Sequence, residues 1–366
     1  MASPLKPSLK KWVSLSAFVG FALFILYIIF FTNVGQVVVI LKGINLAFYA
    51  VAFLCVLGSV VFNTLTWQQL LSNVNVKTKF MRVLNLSLVG MFIDAIVPGG
   101  WSGDIFKTYL LSKDENVDGA RAAAALVLKK VFEFLVTLGA LLAGILLLVY
   151  KYSVNIVILL LIGAIMVLLT LPLAVIIYLS VDIRAAKKAI KMFSTFFAIF
   201  RRKQTGPSSF DLRLQKSLNS LNEFHDGIIT IRKNPKSFLQ PLGFQIIAWC
   251  FDIMTLFLIF VSLGYFVGAD KVIITNSIVT NIQTQGFALA GFSQLISSDI
   301  YTVLGILPET AVASSLLASL ASFWFKTIVS FVAFQRIVLS NQPPHAASLV
   351  KTSPPLVEKS KRHKAF

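Results

Sequence analysis

Asp94-Ala95-Ile96-Val97-Pro98-Gly99-Gly100-Trp101-Ser102-Gly103-Asp104-Ile105-Phe106-Lys107 decides the fold. It closes an apolar run, 84–105, that is interrupted by Pro-Gly-Gly. Proline removes a backbone donor and glycine permits a tight turn, so a continuous helix is broken here. Such a break at membrane depth is tolerated only where protein or a water-filled cavity surrounds it. The flanks are basic on both sides: Lys77, Lys79 and Arg82 before, Lys107, Lys113 and Arg121 after. Basic loops stay cytoplasmic, so the run enters and leaves on one side. It reads as a re-entrant hairpin with Pro98-Gly99-Gly100 at its tip.

The rest of the chain has the composition to surround such a hairpin. Of 366 residues, 57% are apolar and 13% charged, with a mean hydropathy of +0.83. That excludes a soluble globular domain and a disordered chain. The net charge of +18 lies in loops between apolar runs, which argues against nucleic acid as the partner. Apolar runs at 12–32, 46–66, 124–150, 154–179, 239–267 and 309–339 can each cross a core of ~30 Å. The run 12–32 is too long for a signal peptide and no small-residue cleavage site follows it, so it reads as a retained helix. Trp12 and Trp67 fall at expected cytoplasmic boundaries, where an aromatic belt forms.

Loop charge orients the spans. Residues 1–11, the loop 180–238 with its twelve basic residues, and the tail 340–366 all read as cytoplasmic; loops 33–45 and 151–153, with only Lys42 and Lys151, read as external. Within the long loop, Phe193, Phe196, Phe197 and Phe200 share one helical face beside Arg184, Lys187, Lys188, Lys191 and Arg201. That pattern predicts an amphipathic helix over 184–203 on an anionic leaflet. The tail, with Pro343-Pro344 and Pro354-Pro355, reads as disordered.

A second interrupted stretch, 272–305, has both flanks external and predicts a second hairpin from the opposite face. Ser102-Gly103-Asp104-Ile105 recurs as Ser297-Ser298-Asp299-Ile300, and Lys130 is matched by Lys326 at nearly the same offset. The expected fold is therefore all-α: a polytopic membrane bundle of about six full spans plus two inverted re-entrant hairpins. Its repeat halves run about 46–150 and 239–339 within a membrane domain 12–339. Paired interrupted segments of this kind point to a transport site.

Charges inside spans cost about 2.5–3.5 kcal/mol each at a helix centre, so they are the candidate site. Lys326 lies roughly 20 Å along its helix from residue 339. Lys129 and Glu133 are i, i+4 and can pair, which would leave Lys130 on another face. Lys130 and Lys326 either face a shared cavity and attract an anionic headgroup, or pair with carboxylates such as Asp104, Asp299 or Asp252. Gly99, Gly100, Gly103 and Asp104 would cradle the headgroup at a broken helix end, where free N–H groups favour an anion. Asn276, Asn281, Gln283, Thr284, Gln285, Ser293 and Gln294 suit a wet cavity. Cys55 and Cys250 read as small buried residues, and His225, His345 and His363 form no metal or triad pattern. No catalytic residue, metal site or cofactor is expected.

The segment 94–107 resembles the core motif of the flippase-like family related to the transmembrane region of lysylphosphatidylglycerol synthases, roughly Pro-Gly-Gly-x-x-Gly-Asp followed by a basic residue. Lys130-Val131-Phe132-Glu133 resembles that family's Arg-Leu-Leu-Asp, and Lys326 fits its second intramembrane arginine. The family's second motif, Pro-Gly-Gly-Leu-Gly-x-x-Glu, falls on Phe287-Ala288-Leu289-Ala290-Gly291-Phe292-Ser293-Gln294. There Gly291 matches and Gln294 replaces the glutamate. This alignment competes with the Ser-x-Asp-Ile pairing, and both stand. The resemblance implies a stand-alone lipid-translocating domain without a synthase half, since 27 residues follow position 339.

The expected activity is translocation of an anionic or polyprenyl-phosphate lipid between leaflets of the cell membrane. Lys130 and Lys326 would bind the headgroup; Glu133, Lys129, Gln294 and Asp299 would gate or pair. The alternatives are a non-catalytic partner of a membrane-associated synthase or glycosyltransferase, docked on loop 180–238, and, with less support, a lipid-modifying enzyme.

Overall fold

A computed structural model describes residues 34–96, 102–113, 117–151, 182–185, 236–282 and 291–340, with positions 175, 178, 187 and 188. The tip residues Pro98, Gly99 and Gly100, the span 12–32, nearly all of 154–179, most of the loop helix 184–203, Gln283 to Gln285 and the tail beyond Ser340 lie outside them.

The described residues form helices and no strands. In chain order these are α1 (Val34–Lys42), α2 (Leu46–Asn73), α3 (Phe80–Ile96), α4 (Ser102–Leu111), α5 (Gly119–Lys151), α6 (Lys236–Ser262), α7 (Ala269–Ile282), α8 (Phe292–Val303), α9 (Pro308–Ser319) and α10 (Phe325–Ser340). A widened π turn, Leu320–Trp324, joins α9 to α10. Four of the expected spans coincide with long apolar helices: α2, α5, α6 and the continuous α9–π–α10 rod. At 28 residues, α2 is roughly 42 Å long, more than the bilayer core needs.

Local chemistry sets several boundaries. Asn45 caps α2, its side chain accepting from the N–H of Ala47 at 3.0 Å. Pro308 opens α9, where a missing N–H costs nothing. Gly264 (φ 75°) and Gly305 (φ 81°) turn the chain after α6 and α8. In the segment 182–185, the Asp182 carboxylate accepts the N–H of Arg184 at 2.8 Å and Ala185 at 3.3 Å. Those backbone bonds, Ala185 foremost, hold its carboxyl below the usual range.

The outer surface is apolar. Leu46, Leu146, Leu239 and Ile328 are each more than 60% exposed. So many outward aliphatic side chains on the span helices need hydrocarbon, not water, around them. Inside, Trp67, Leu70, Leu71, Val83 and Leu86 are fully buried. Trp67 is thus a core residue, not the interfacial anchor expected; α2 continues past residue 66 to Asn73 and carries the indole inward. The external loop expected at 33–45 contains a helix, α1, which packs on α9.

Helix packing repeats itself when the two halves are exchanged. The leading spans α2 and α6 lie against each other along their length. Phe62 stacks on Phe251 at 5.6 Å there. Span α5 of the first half packs on α7, the first hairpin helix of the second half; α10, in the second half's span, packs on α3, the first hairpin helix of the first. Gly144 meets Ile274 at the one contact, and Phe92 meets Phe331 and Phe334 at the other. Within each half, α3 pairs with α4 as α7 does with α8. A pattern unchanged by exchange is what internal repeats about a two-fold axis produce.

Candidate functional site

The two hairpins present two different polar centres. In the first, α3 and α4 approach closely because two glycines meet. A Cβ on Gly90 would lie 3.0 Å from the Gly103 carbonyl, and one on Gly103 would collide with the Gly90 carbonyl. Asp94, on α3, reaches the free N-terminus of α4. Its carboxylate accepts from the Ser102 hydroxyl at 2.8 Å and the Gly103 N–H at 2.7 Å. The motif's first aspartate therefore caps the broken helix, and a carboxylate at an N-terminus also complements the helix dipole.

One turn further, five charged side chains converge. Asp104 bonds Lys107 on its own helix and Lys130 on α5. Lys130 also stands 3.0 Å from Glu133, which in turn bonds Lys129. Lys107 lies 4.6 Å over the Trp67 ring, a cation–π contact that replaces part of its hydration. Asp104 and Lys107 are each 5% exposed and Lys129 6%. Charges this buried persist only when paired. The expected Lys129–Glu133 pair is present; Lys130 does not turn to a separate face but joins the same carboxylates. Lys107, assigned by sequence to a cytoplasmic flank, is a buried member of the network. Its i, i+3 spacing from Asp104 was the available signal.

The second hairpin borders a cavity of about 320 Å³. Its walls come from α6, α7, α8, α9, the π turn and α10. Lys326 faces Asp252 across it at 4.0 Å, without the close contact of the first centre. Asn276, Ser293 and Gln294 line it, as their polarity predicts, together with Ser314, Ser315 and Ser319. The π turn just before Lys326 shifts the helix register and places Ser322 and Phe323 on the same wall. Lys130 does not line this cavity. The two lysines therefore occupy separate centres.

Gln294 is the third residue of α8 as Asp104 is of α4. Its Oε1 accepts the Gly291 N–H at 2.8 Å, and its Nε2 donates to Ser319 Oγ at 2.5 Å. Gln294 thus links the helix start to α9, as Asp104 links α4 to α5. Asp299 sits eight residues into α8, is exposed and does not line the cavity. By element position, Gln294 rather than Asp299 is the counterpart of Asp104.

The pattern of the lysylphosphatidylglycerol synthase TM region matches residues 17–330. The chain belongs to that family. The match runs through both hairpins and all four described spans, so this is an integral membrane protein of the family. It is similar to a UPF0104 membrane protein of Methanothermobacter thermautotrophicus, 24% identical over 324 residues, covering 87% of this chain and 91% of the relative. A UPF0104 membrane protein of Methanocaldococcus jannaschii is 27% identical over 325 residues, covering 85% and 91%. One of Pyrococcus horikoshii is 20% identical over 329 residues, covering 87% and 94%.

Proposed function

We propose that the protein translocates an anionic or polyprenyl-phosphate lipid between leaflets. The observation that carries this reading is the cavity holding Lys326, where Asp252, Asn276, Gln294 and several serines interrupt an otherwise apolar lining, within helices that carry exposed aliphatic side chains. A headgroup enters the cavity while the lipid tails stay against the apolar exterior. Lys326, paired to Asp252 only at 4.0 Å, is available to an incoming anion. Lys130 is held by Asp104 and Glu133 and serves the first hairpin as a positioned cation that a headgroup phosphate engages by displacing a carboxylate. The near-symmetric packing of the halves gives each hairpin an equivalent mechanical setting, as alternating access requires.

Headgroup preference tests this. Purified protein in proteoliposomes is offered labelled anionic, zwitterionic and cationic lipids of equal chain length. The reading predicts fastest movement of the anionic lipid. Equal rates for all three would contradict recognition through the lysines.

A further inference from the structure

The cavity's polar groups divide by what each still offers a ligand. Ser297 donates its hydroxyl hydrogen to the Ser293 carbonyl at 2.7 Å, and Ser314 donates to that of Ala311 at 2.9 Å. Both hydroxyls therefore turn lone pairs, not hydrogens, toward the cavity. The Asp252 carboxylate accepts as well. Other groups remain donors. Ser319 Oγ accepts from Gln294 and keeps its own hydrogen. Asn276 Oδ1 accepts from Thr280 at 3.4 Å, which leaves the amide NH2. Ser315 lines the cavity at 3% exposure, and its hydroxyl has no hydrogen-bond partner within the described residues.

A fully ionised phosphate accepts only. It suits Lys326, Asn276 and Ser319, but faces Asp252 with like charge and leaves the two serine acceptors unsatisfied. An ammonium group donates only, and the Lys326–Asp252 pair gives it no net attraction. Hydroxyl groups both donate and accept. Phe260 and Phe323 on the wall supply apolar faces for the C–H surface of a ring. We propose that this cavity is a binding subsite for a polyhydroxylated phosphate, a polyol or glycosyl phosphate, with the phosphate at Lys326 and the hydroxyls against Asp252, Ser297, Ser314 and Ser315. The membrane origin of that headgroup rests on the translocation reading; the recognition chemistry does not.

Binding is measured on the full chain in lipid nanodiscs by calorimetry. The soluble probes are myo-inositol 1-phosphate, inorganic phosphate and phosphoethanolamine. The lipid probes are phosphatidylinositol, phosphatidate and phosphatidylethanolamine. In each set the inositol compound binds about tenfold or more tighter, the loss of one or two buried hydrogen bonds for the others. Tighter binding of phosphatidylinositol than of inositol phosphate identifies a lipid source; equal binding identifies a soluble one. Asp252→Asn and Ser315→Val lower inositol-compound affinity toward that of the phosphate-only probe, while Lys326→Gln weakens all phosphate probes together. Gly139→Ala, away from the cavity and with nothing within 4 Å of the added atom, is the control and binds as wild type. Phosphate or phosphoethanolamine binding as tightly as inositol phosphate overturns the proposal, as does an Asp252→Asn variant with unchanged preference. Inositol-selective binding in a protein that moves no lipid supports the subsite and contradicts translocation alone.

Discussion

The Lys130 ammonium, on the long span α5, lies 2.5 Å from the Asp104 carboxylate, on the second hairpin helix α4. This contact fastens a short broken helix to a continuous one. It also makes Asp104 the hub of the buried network, since Lys107 bonds the same carboxylate.

Neutralising the hub leaves Lys107 and Lys130 without the carboxylate they share. Asp104→Asn is expected to destabilise the protein by about 3–5 kcal/mol, the cost of breaking a buried pair from one side. Thermal unfolding in detergent measures it. Adding Lys130→Met to Asp104→Asn restores part of the loss, and the coupling appears as non-additivity in the double-mutant cycle.

The hairpin depends on a glycine contact. Gly103→Ala places a methyl on the Gly90 carbonyl, so α3 and α4 must separate. The variant is expected to unfold at clearly lower temperature. Gly139→Ala, where nothing lies within 4 Å of the added atom, leaves the unfolding temperature within error of wild type.

Lys130 and Lys326 differ in structural duty. Lys326→Ala removes a cation 4.0 Å from a half-exposed carboxylate, so its unfolding temperature stays near that of wild type. Lys130→Ala strips a cation from both Asp104 and Glu133 and lowers it. Side-by-side melting curves check the order, and they make Lys326→Ala the cleaner variant for functional work.

The two cysteines report helix orientation. Cys250 is exposed and Cys55 buried, although both lie in similar apolar runs. A hydrophobic maleimide is expected to label Cys250 in folded protein and Cys55 only after denaturation; peptide mass spectrometry distinguishes them.

Much of this architecture is legible in sequence, because a bilayer imposes long apolar runs and makes each interruption meaningful. The helices α2, α5, α6 and α9–α10 follow from uninterrupted hydropathy, and the paired hairpin helices follow from Gly and Pro. What hydropathy cannot report is which face of a helix turns inward. Trp67 and Lys107 read as boundary residues by position, yet the length of α2 and the Asp104 spacing carry both into the core. The helix α1 is too short, and too close to Lys42, to read as a span. Asp94 is prominent in the motif, but its capping role needs the approach of α3 to α4 that Gly90 and Gly103 create. Sequence alone leaves two pairings for Asp104, Gln294 by motif and Asp299 by the Ser-x-Asp-Ile repeat, and counting from the helix starts favours Gln294.

Translocation itself is tested most directly by the initial rate at which a labelled anionic phospholipid crosses between leaflets in proteoliposomes, comparing wild type, Lys326→Ala and protein-free vesicles. The account predicts a wild-type rate well above that of empty vesicles and a folded Lys326→Ala protein close to them. A wild-type rate equal to that of empty vesicles would contradict it, and would favour a membrane partner of a separate synthase or glycosyltransferase.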